Sequence, residues 1–159
     1  MICKATAADI DFLYGLYMAP TVNSFLLYEQ MDLDEFKPVV KELLAKEVLY
    51  IFLYKQKAVG MFKLVPLTYR NSHVVYLGGL AIDPALSGKG LGEEMLREII
   101  SLAKEKGFKR IELSVATINE RAIRLYEKVG FEKEGVLRNF TCLMKENKFL
   151  DEAVMSYLF

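Results

Sequence analysis

Three glycines at alternate positions, Gly88, Gly90 and Gly92, lie in the run Leu80-Ala-Ile-Asp-Pro-Ala-Leu-Ser-Gly-Lys-Gly-Leu-Gly-Glu-Glu-Met-Leu96. Glycine has no Cβ, so ligand atoms can approach its backbone N–H closely. The apolar residues before the glycines read as the end of a strand, and those after Gly90 as the first turn of a helix. A helix start presents unpaired N–H groups and the positive end of the dipole. Such a loop binds an anion, most often a phosphate. Lys89 offers a cation that either reaches a phosphate or stays solvated. Downstream, Tyr126 falls on the apolar side of a short helical pattern, where a tyrosine fills core. His73 is the only histidine, and a surface role at a strand start suits it better than acid–base work without partners.

Two familiar phosphate loops do not fit. A Walker loop needs Gly-Lys-Ser/Thr so that a hydroxyl can hold magnesium, but Gly90 follows Gly88-Lys89 here. A dinucleotide fingerprint needs Gly-x-Gly-x-x-Gly and an acidic residue closing the next strand. The spacing here is Gly-x-Gly-x-Gly, and Glu112 falls inside the following strand.

The elements that must position these groups follow from periodicity. A short strand is expected at 2–5, then a helix from about Ala7 that Pro20 stops. A loop or broken helix over 21–31 carries Phe25, Tyr28 and Glu29, and a helix over 33–46 starts at Asp32 as N-cap. Runs 48–54 and 58–65, joined by Lys55-Gln-Lys57, predict an antiparallel hairpin in which Phe62 fills core. A long strand over 73–83 is interrupted by Gly78-Gly79, which suggests a bulge. A helix over 91–106, a strand over 110–116, a short helix capped by Asn119 and closed by Gly130, and strands over 131–143 and 152–159 complete the chain. This order predicts one α/β sheet of α+β type, antiparallel in its N-terminal half, with a parallel βαβ crossover at the glycine loop.

Composition narrows the classes. The 159 residues suit a single domain over 1–159, and 53% hydrophobic and 12% aromatic residues argue against disorder. Twenty-one basic residues balance twenty-one acidic ones, so no net charge argues for a nucleic-acid partner. No apolar run approaches the roughly 20 residues of a membrane span, and no secretory signal opens the chain. Two cysteines, Cys3 and Cys142, with one histidine assemble neither a disulfide framework nor a Cys/His metal site. The expectation is a cytoplasmic protein without membrane, nucleic-acid or metal partners.

Two long patterns in order specify more than a glycine loop. Ser87-Gly-Lys-Gly-Leu-Gly92 resembles motif A of the GNAT acetyltransferase superfamily, Gln/Arg-x-x-Gly-x-Gly/Ala. Asn119-Glu-Arg-Ala-Ile-Arg-Leu-Tyr-Glu-Lys-Val-Gly-Phe131 resembles the family's Asn-x-x-Ala-x-x-Leu-Tyr-x-x-x-Gly-Phe element. The tail, Glu134-Gly-Val-Leu-Arg138 and Asp151-Glu-Ala-Val-Met-Ser156, looks most like the branch acting on protein N-termini and polyamines. The resemblance implies a mixed central sheet with a splayed strand pair and helices on both faces. It implies acetyl-CoA as donor and a primary amine, on a small polyamine-like molecule or a peptide N-terminus, as acceptor. It also admits a homodimer.

By the same resemblance, the amides of Gly88, Lys89, Gly90, Leu91, Gly92 and Glu93 hold the pyrophosphate, and Asn119 also contacts CoA. Leu80, Ala81 and Ile82 pair with the pantetheine arm as an added strand. Gly79 offers an N–H to the thioester oxygen, and Tyr126 is the general acid that protonates the departing sulfur. Tyr28, Glu29 and Tyr76 are candidates for the acceptor site. The leading Gln/Arg of motif A is Ser87 here. The general base is open: the family's two glutamate positions fall on Tyr76 and Ser114, leaving Glu112, Glu29 or a water chain. A CoA-binding sensor without catalysis is the alternative function.

Overall fold

The computed structural model describes residues 1–159. Seven strands are β1 (Ile2–Lys4), β2 (Leu49–Tyr54), β3 (Lys57–Pro66), β4 (Val74–Ile82), β5 (Arg110–Ala116), β6 (Glu132–Leu143) and β7 (Lys148–Leu158). Five helices are α1 (Ile10–Met18), α2 (Pro20–Asn23), α3 (Leu33–Ala45), α4 (Leu91–Glu105) and α5 (Glu120–Lys128). The strands follow the order β1-β2-β3-β4-β5-β7-β6 in one sheet. β4 and β5 are parallel, as the βαβ reading requires, while β1–β2, β2–β3, β5–β7 and β6–β7 are antiparallel. The mixed α/β architecture expected from the sequence is thus present.

The chain forms two compact units, Met1–Leu64 with Gly79–Met95, and Val65–Gly78 with Leu96–Phe159. In the first, Asp32 caps α3 through the Glu35 N–H, and the Glu35 side chain returns to the Asp32 N–H. This capping box satisfies two otherwise orphaned donors. Phe36, Val40 and Leu43 then recur at helical spacing on the buried side of α3. The Tyr17 ring of α1 packs against Phe36 with centroids 5.4 Å apart. Successive residues of β2 (Leu49–Phe52) and β3 (Val59–Leu64) are buried, so both faces of these strands are covered. Phe62 is fully buried and stacks on Tyr50 at 5.1 Å.

Pro20 ends α1, but it also starts α2 as its first residue. Ala19 is forced out of the helical region (ψ 123°) by the proline ring behind it, while the proline's own φ suits a helix start.

In the second unit, β5 alternates buried Ile111, Leu113 and Val115 with half-buried Glu112 and Ser114. Arg110 binds Glu134 through two guanidinium nitrogens (2.6 and 2.8 Å) and Glu112 at 2.6 Å. Ser156 also donates to Glu134. The Arg110 and Ser156 hydrogen bonds pull the Glu134 carboxyl down to about 2. A carboxylate with a depressed folded pKa stabilises the fold above its unfolded value and loses that contribution as pH falls through the folded one. The Glu134→Gln variant therefore loses the part of the wild-type melting decline that lies between about pH 4.5 and 2. Thermal melts of both proteins across that window check this, and superimposable curves contradict it.

Candidate active site

The glycine run takes the form that its chemistry requires. Asp83 accepts from the Ala85 N–H and opens a single 3-10 turn over Pro84–Leu86. Gly88 (φ +82°) and Gly90 (φ +78°) then adopt left-handed backbone, where a side chain is strained. No atom lies within 4 Å of the place where either Cβ would sit, so the loop leaves open space beside its backbone. α4 begins at once with Leu91. Leu91 and Gly92 occupy the first two helical positions, whose N–H groups have no preceding turn to pair with.

Glu93 departs from the sequence reading. Its N–H donates to the Gly90 carbonyl at 3.1 Å, as does that of Glu94. The amide of Glu93 is therefore engaged in closing the first turn. Lys89 is exposed.

The strand ahead of the loop is shaped by two glycines. The ladder between β4 and β5 comprises Val74↔Arg110, Val75↔Ile111 and Tyr76↔Glu112, and closes there although β4 continues to Ile82. Gly79 follows in left-handed backbone (φ +58°), at the Gly78-Gly79 pair where the sequence suggests an interruption. Beyond it, Leu80 and Ile82 are half-buried and Ala81 is buried. Gly60 on β3 lies beneath them. A Cβ on Gly60 would come 2.7 Å from Ile82 Cδ1, 3.0 Å from the Ala81 carbonyl oxygen and 3.0 Å from Met95 Sδ. The absent side chain is what lets β3 lie so close to residues 81–82. Nothing local in the sequence marks Gly60; its partners are twenty or more residues away.

Around Gly79 the first unit gathers Tyr17, Tyr28 and Lys63. A Cβ on Gly79 would meet the Tyr17 hydroxyl at 3.0 Å and Lys63 Cε at 3.2 Å. Lys63 Nζ stands 5.4 Å from the centre of the Tyr28 ring. Of the acceptor-site candidates, Tyr28 is thus placed beside Gly79. Glu29 is half-buried on the segment that follows α2. Tyr17 and Lys63 were not expected; the one signal was a lysine inside an otherwise apolar run, Met61-Phe-Lys-Leu-Val65.

In the second unit, the motif from Asn119 to Phe131 is explained residue by residue. The Asn119 side chain accepts from the Ala122 N–H (3.3 Å) and caps α5. Tyr126 is the buried residue of α5, 7% exposed, and its ring packs on Phe131 at 5.8 Å. Gly130 takes left-handed backbone (φ +104°), and a Cβ there would crowd the Tyr157 ring at 3.1 Å. Burial first, and Tyr76 second, push the Tyr126 phenol well above its usual range. Burial thus favours the protonated phenol, which keeps its proton in place.

Tyr76 and Ser114, at the two positions where a glutamate is expected, hydrogen-bond one another through their hydroxyls at 3.0 Å. Glu112 is held by Arg110. His73 is exposed, and its carbonyl accepts from the Lys109 N–H just ahead of the β4–β5 ladder. No three His, Cys, Asp or Glu side chains cluster as metal ligands, and no helix is long and apolar enough to cross a membrane.

The chain is similar to known proteins in sequence and in fold. The family profile described as Acetyltransferase (GNAT) family matches residues 10–131. An uncharacterized N-acetyltransferase of Escherichia coli K12, YjgM, is 33% identical over 119 residues, covering 75% of this chain and 68% of that protein. The spermine/spermidine N(1)-acetyltransferase of Bacillus subtilis is 45% identical over 64 residues, 40% of this chain and 42% of its own length. Among solved structures, the spermidine N-acetyltransferase of Vibrio cholerae in complex with CoA and spermine superposes with a TM-score of 0.86 at 19% identity, over 99% of this chain and 94% of that one. The ribosomal-protein-alanine N-acetyltransferase of Brucella melitensis gives 0.82 at 21% identity, over 100% and 99%.

Proposed function

Because the chain belongs to the acetyltransferase (GNAT) family of acetyl-CoA-dependent N-acetyltransferases, we propose that its acceptor is a primary amine, carried by a small molecule or a peptide N-terminus. The observation that carries this reading is the sequence of a strand released from its ladder at Tyr76, a left-handed Gly79, and an open left-handed loop at Gly88 and Gly90 that leads into α4.

The residues present suit a long anionic co-substrate. The amides of residues 88–92 take the pyrophosphate, and Leu80, Ala81 and Ile82 offer backbone to the pantetheine arm. Asn119 contributes a further polar contact. When bound, acetyl-CoA supplies an acetyl group activated as a thioester. The acceptor nitrogen forms a bond to the acetyl carbon as the carbon–sulfur bond breaks. The acceptor, normally an ammonium with a pKa near 10, first loses a proton, and the sulfur gains one. Gly79 N–H donates to the acetyl oxygen as that oxygen gathers charge. Tyr126 donates its phenolic proton toward the sulfur. With the Tyr76 and Ser114 hydroxyls hydrogen-bonded to one another, the acceptor's proton leaves by way of water.

A first test concerns the loop alone. Gly90→Val forces a β-branched residue into left-handed backbone, at a cost of about 1–2 kcal/mol, and puts methyl groups beside the amides. CoA affinity measured by calorimetric titration falls by on the order of tenfold or more. Unchanged affinity in a folded variant contradicts the placement of the pyrophosphate. If wild type binds CoA but no amine draws free thiol from acetyl-CoA, the chain is an acyl-CoA sensor.

A further inference from the structure

The acetyltransferase reading leaves two buried donors unexplained. Lys63 is 9% exposed within β3, flanked by buried Phe62 and Leu64. No carboxylate pairs with it; its charge faces only the Tyr28 ring at 5.4 Å. The Tyr17 hydroxyl is buried and has no hydrogen-bond partner. Buried polar groups are almost always satisfied, and a buried charge is ordinarily paired. Here a hydroxyl without a hydrogen-bond partner and a lysine without a carboxylate both lie against Gly79, the Tyr17 hydroxyl at 3.0 Å and Lys63 Cε at 3.2 Å from the position of its missing Cβ. Neither satisfies the other, since the hydroxyl accepts no bond from the lysine. A hydroxyl free to donate, with a carboxylate-free lysine on the same glycine, describes a site for an anionic oxygen.

We propose that Lys63 and Tyr17 hold the carboxylate of the acceptor, so that the chain acetylates small amino acids in preference to polyamines. The inference rests on Gly79 marking the place of acetyl transfer. An amine attacking there must come close to the acetyl carbon. In an α-amino acid the carboxylate carbon is two bonds from that amine nitrogen, which brings its oxygens to the same neighbourhood. A carboxylate satisfies both groups: it accepts from the Tyr17 hydroxyl and neutralises the ammonium in a charge-assisted bond. A neutral carbonyl satisfies the hydroxyl and leaves the buried charge uncompensated. A polyamine brings a second positive charge toward Lys63, which like-charge repulsion disfavours. Burial also pushes the Lys63 ammonium below its usual range, as expected where the anion that stabilises the charged form comes with the substrate.

The experiment compares free amino acids, the same amino acids as carboxamides, and spermidine as acceptors, with thiol release from acetyl-CoA as the readout. Wild type favours the acid over its own amide in kcat/KM on the order of ten- to a hundredfold. In Lys63→Met that ratio collapses toward one, and the loss is carried by KM for the acid. Tyr17→Phe removes a hydroxyl that has no partner, so it folds at least as well as wild type, and it narrows the same ratio. Calorimetric titration of the amino acid onto the CoA-bound protein gives a readout that needs no turnover, and Lys63→Met weakens that binding. Equal use of amides, acids and spermidine overturns the proposal. So does a Lys63→Met variant whose kcat falls alike for every acceptor, which would place Lys63 on the acetyl oxygen instead. If no amine is acetylated, the acetyl-transfer reading fails; amino-acid binding to the CoA complex that is unaltered in Lys63→Met overturns this proposal separately.

Discussion

Tyr126→Phe lowers kcat by about 10²- to 10⁴-fold while acetyl-CoA affinity stays within a few-fold of wild type. The substitution removes one hydroxyl. The ring keeps its packing on Phe131 at 5.8 Å, so the fold of α5 and the Gly130-Phe131 turn persists. What is lost is the proton offered to the sulfur. The phenol is held above its normal range by burial, with Tyr76 adding to it. A raised pKa keeps the acidic form populated as pH rises, so the wild-type rate shows no alkaline decline from Tyr126 below about pH 10. Steady-state kinetics with saturating acceptor, alongside CoA titration of the variant, separate the two quantities. Equal turnover in Tyr126→Phe removes the residue from the chemistry and returns it to the core.

Gly60→Val has the second large effect, and by a different route. Its Cβ would come 2.7 Å from Ile82 Cδ1 and 3.0 Å from the Ala81 carbonyl oxygen. The isoleucine can change rotamer; the backbone oxygen cannot move without displacing β4. Overpacking of this kind costs about 1–3 kcal/mol. For a chain of this size each kcal/mol lowers the melting temperature by about 2–4 °C. The displacement falls on residues 81–82, the stretch proposed to pair with pantetheine. CoA affinity therefore falls by on the order of tenfold, more than the change in melting temperature alone would imply. Gly135→Val is the natural control, since nothing lies within 4 Å of its Cβ position. A Gly60→Val protein that binds CoA like wild type shows that β4 tolerates the shift and that its backbone is not part of the site.

How much of this was legible in the sequence depends on the range of the interaction. The glycine loop and the Asn119–Phe131 element are local devices. Left-handed backbone at Gly88, Gly90 and Gly130, the Asn119 cap, and the ring pair Tyr126–Phe131 involve residues within about a dozen positions of each other. Their chemistry can be inferred from residue type and spacing. Glu93 shows the limit even there. Choosing which first-turn amides remain open required knowing that Gly90 supplies the capping carbonyl.

Gly60, Tyr17 and Lys63 belong to the other kind. Gly60 matters because of Ile82 and Met95, and Tyr17 and Lys63 because of Gly79. Those juxtapositions exist only once β3 and α1 have been brought to β4. Periodicity reports which face of an element is apolar, but not what lies opposite a particular residue. The same holds for Glu134, whose partners Arg110 and Ser156 come from two other strands. The lysine in Met61-Phe-Lys-Leu-Val65 broke an apolar run in plain view. Without the fold it could not be distinguished from a residue on a solvated strand face.

The central claim is acetyl transfer from acetyl-CoA to a primary amine. Its most direct test is incubation of the purified chain with acetyl-CoA and a panel of amines, with free thiol and N-acetylated product both quantified, the latter by mass spectrometry. Thiol and acetylated amine are expected in equal amounts, each requiring protein and amine together. Protection from melting by CoA, with no thiol above the protein-free rate for any amine, contradicts it.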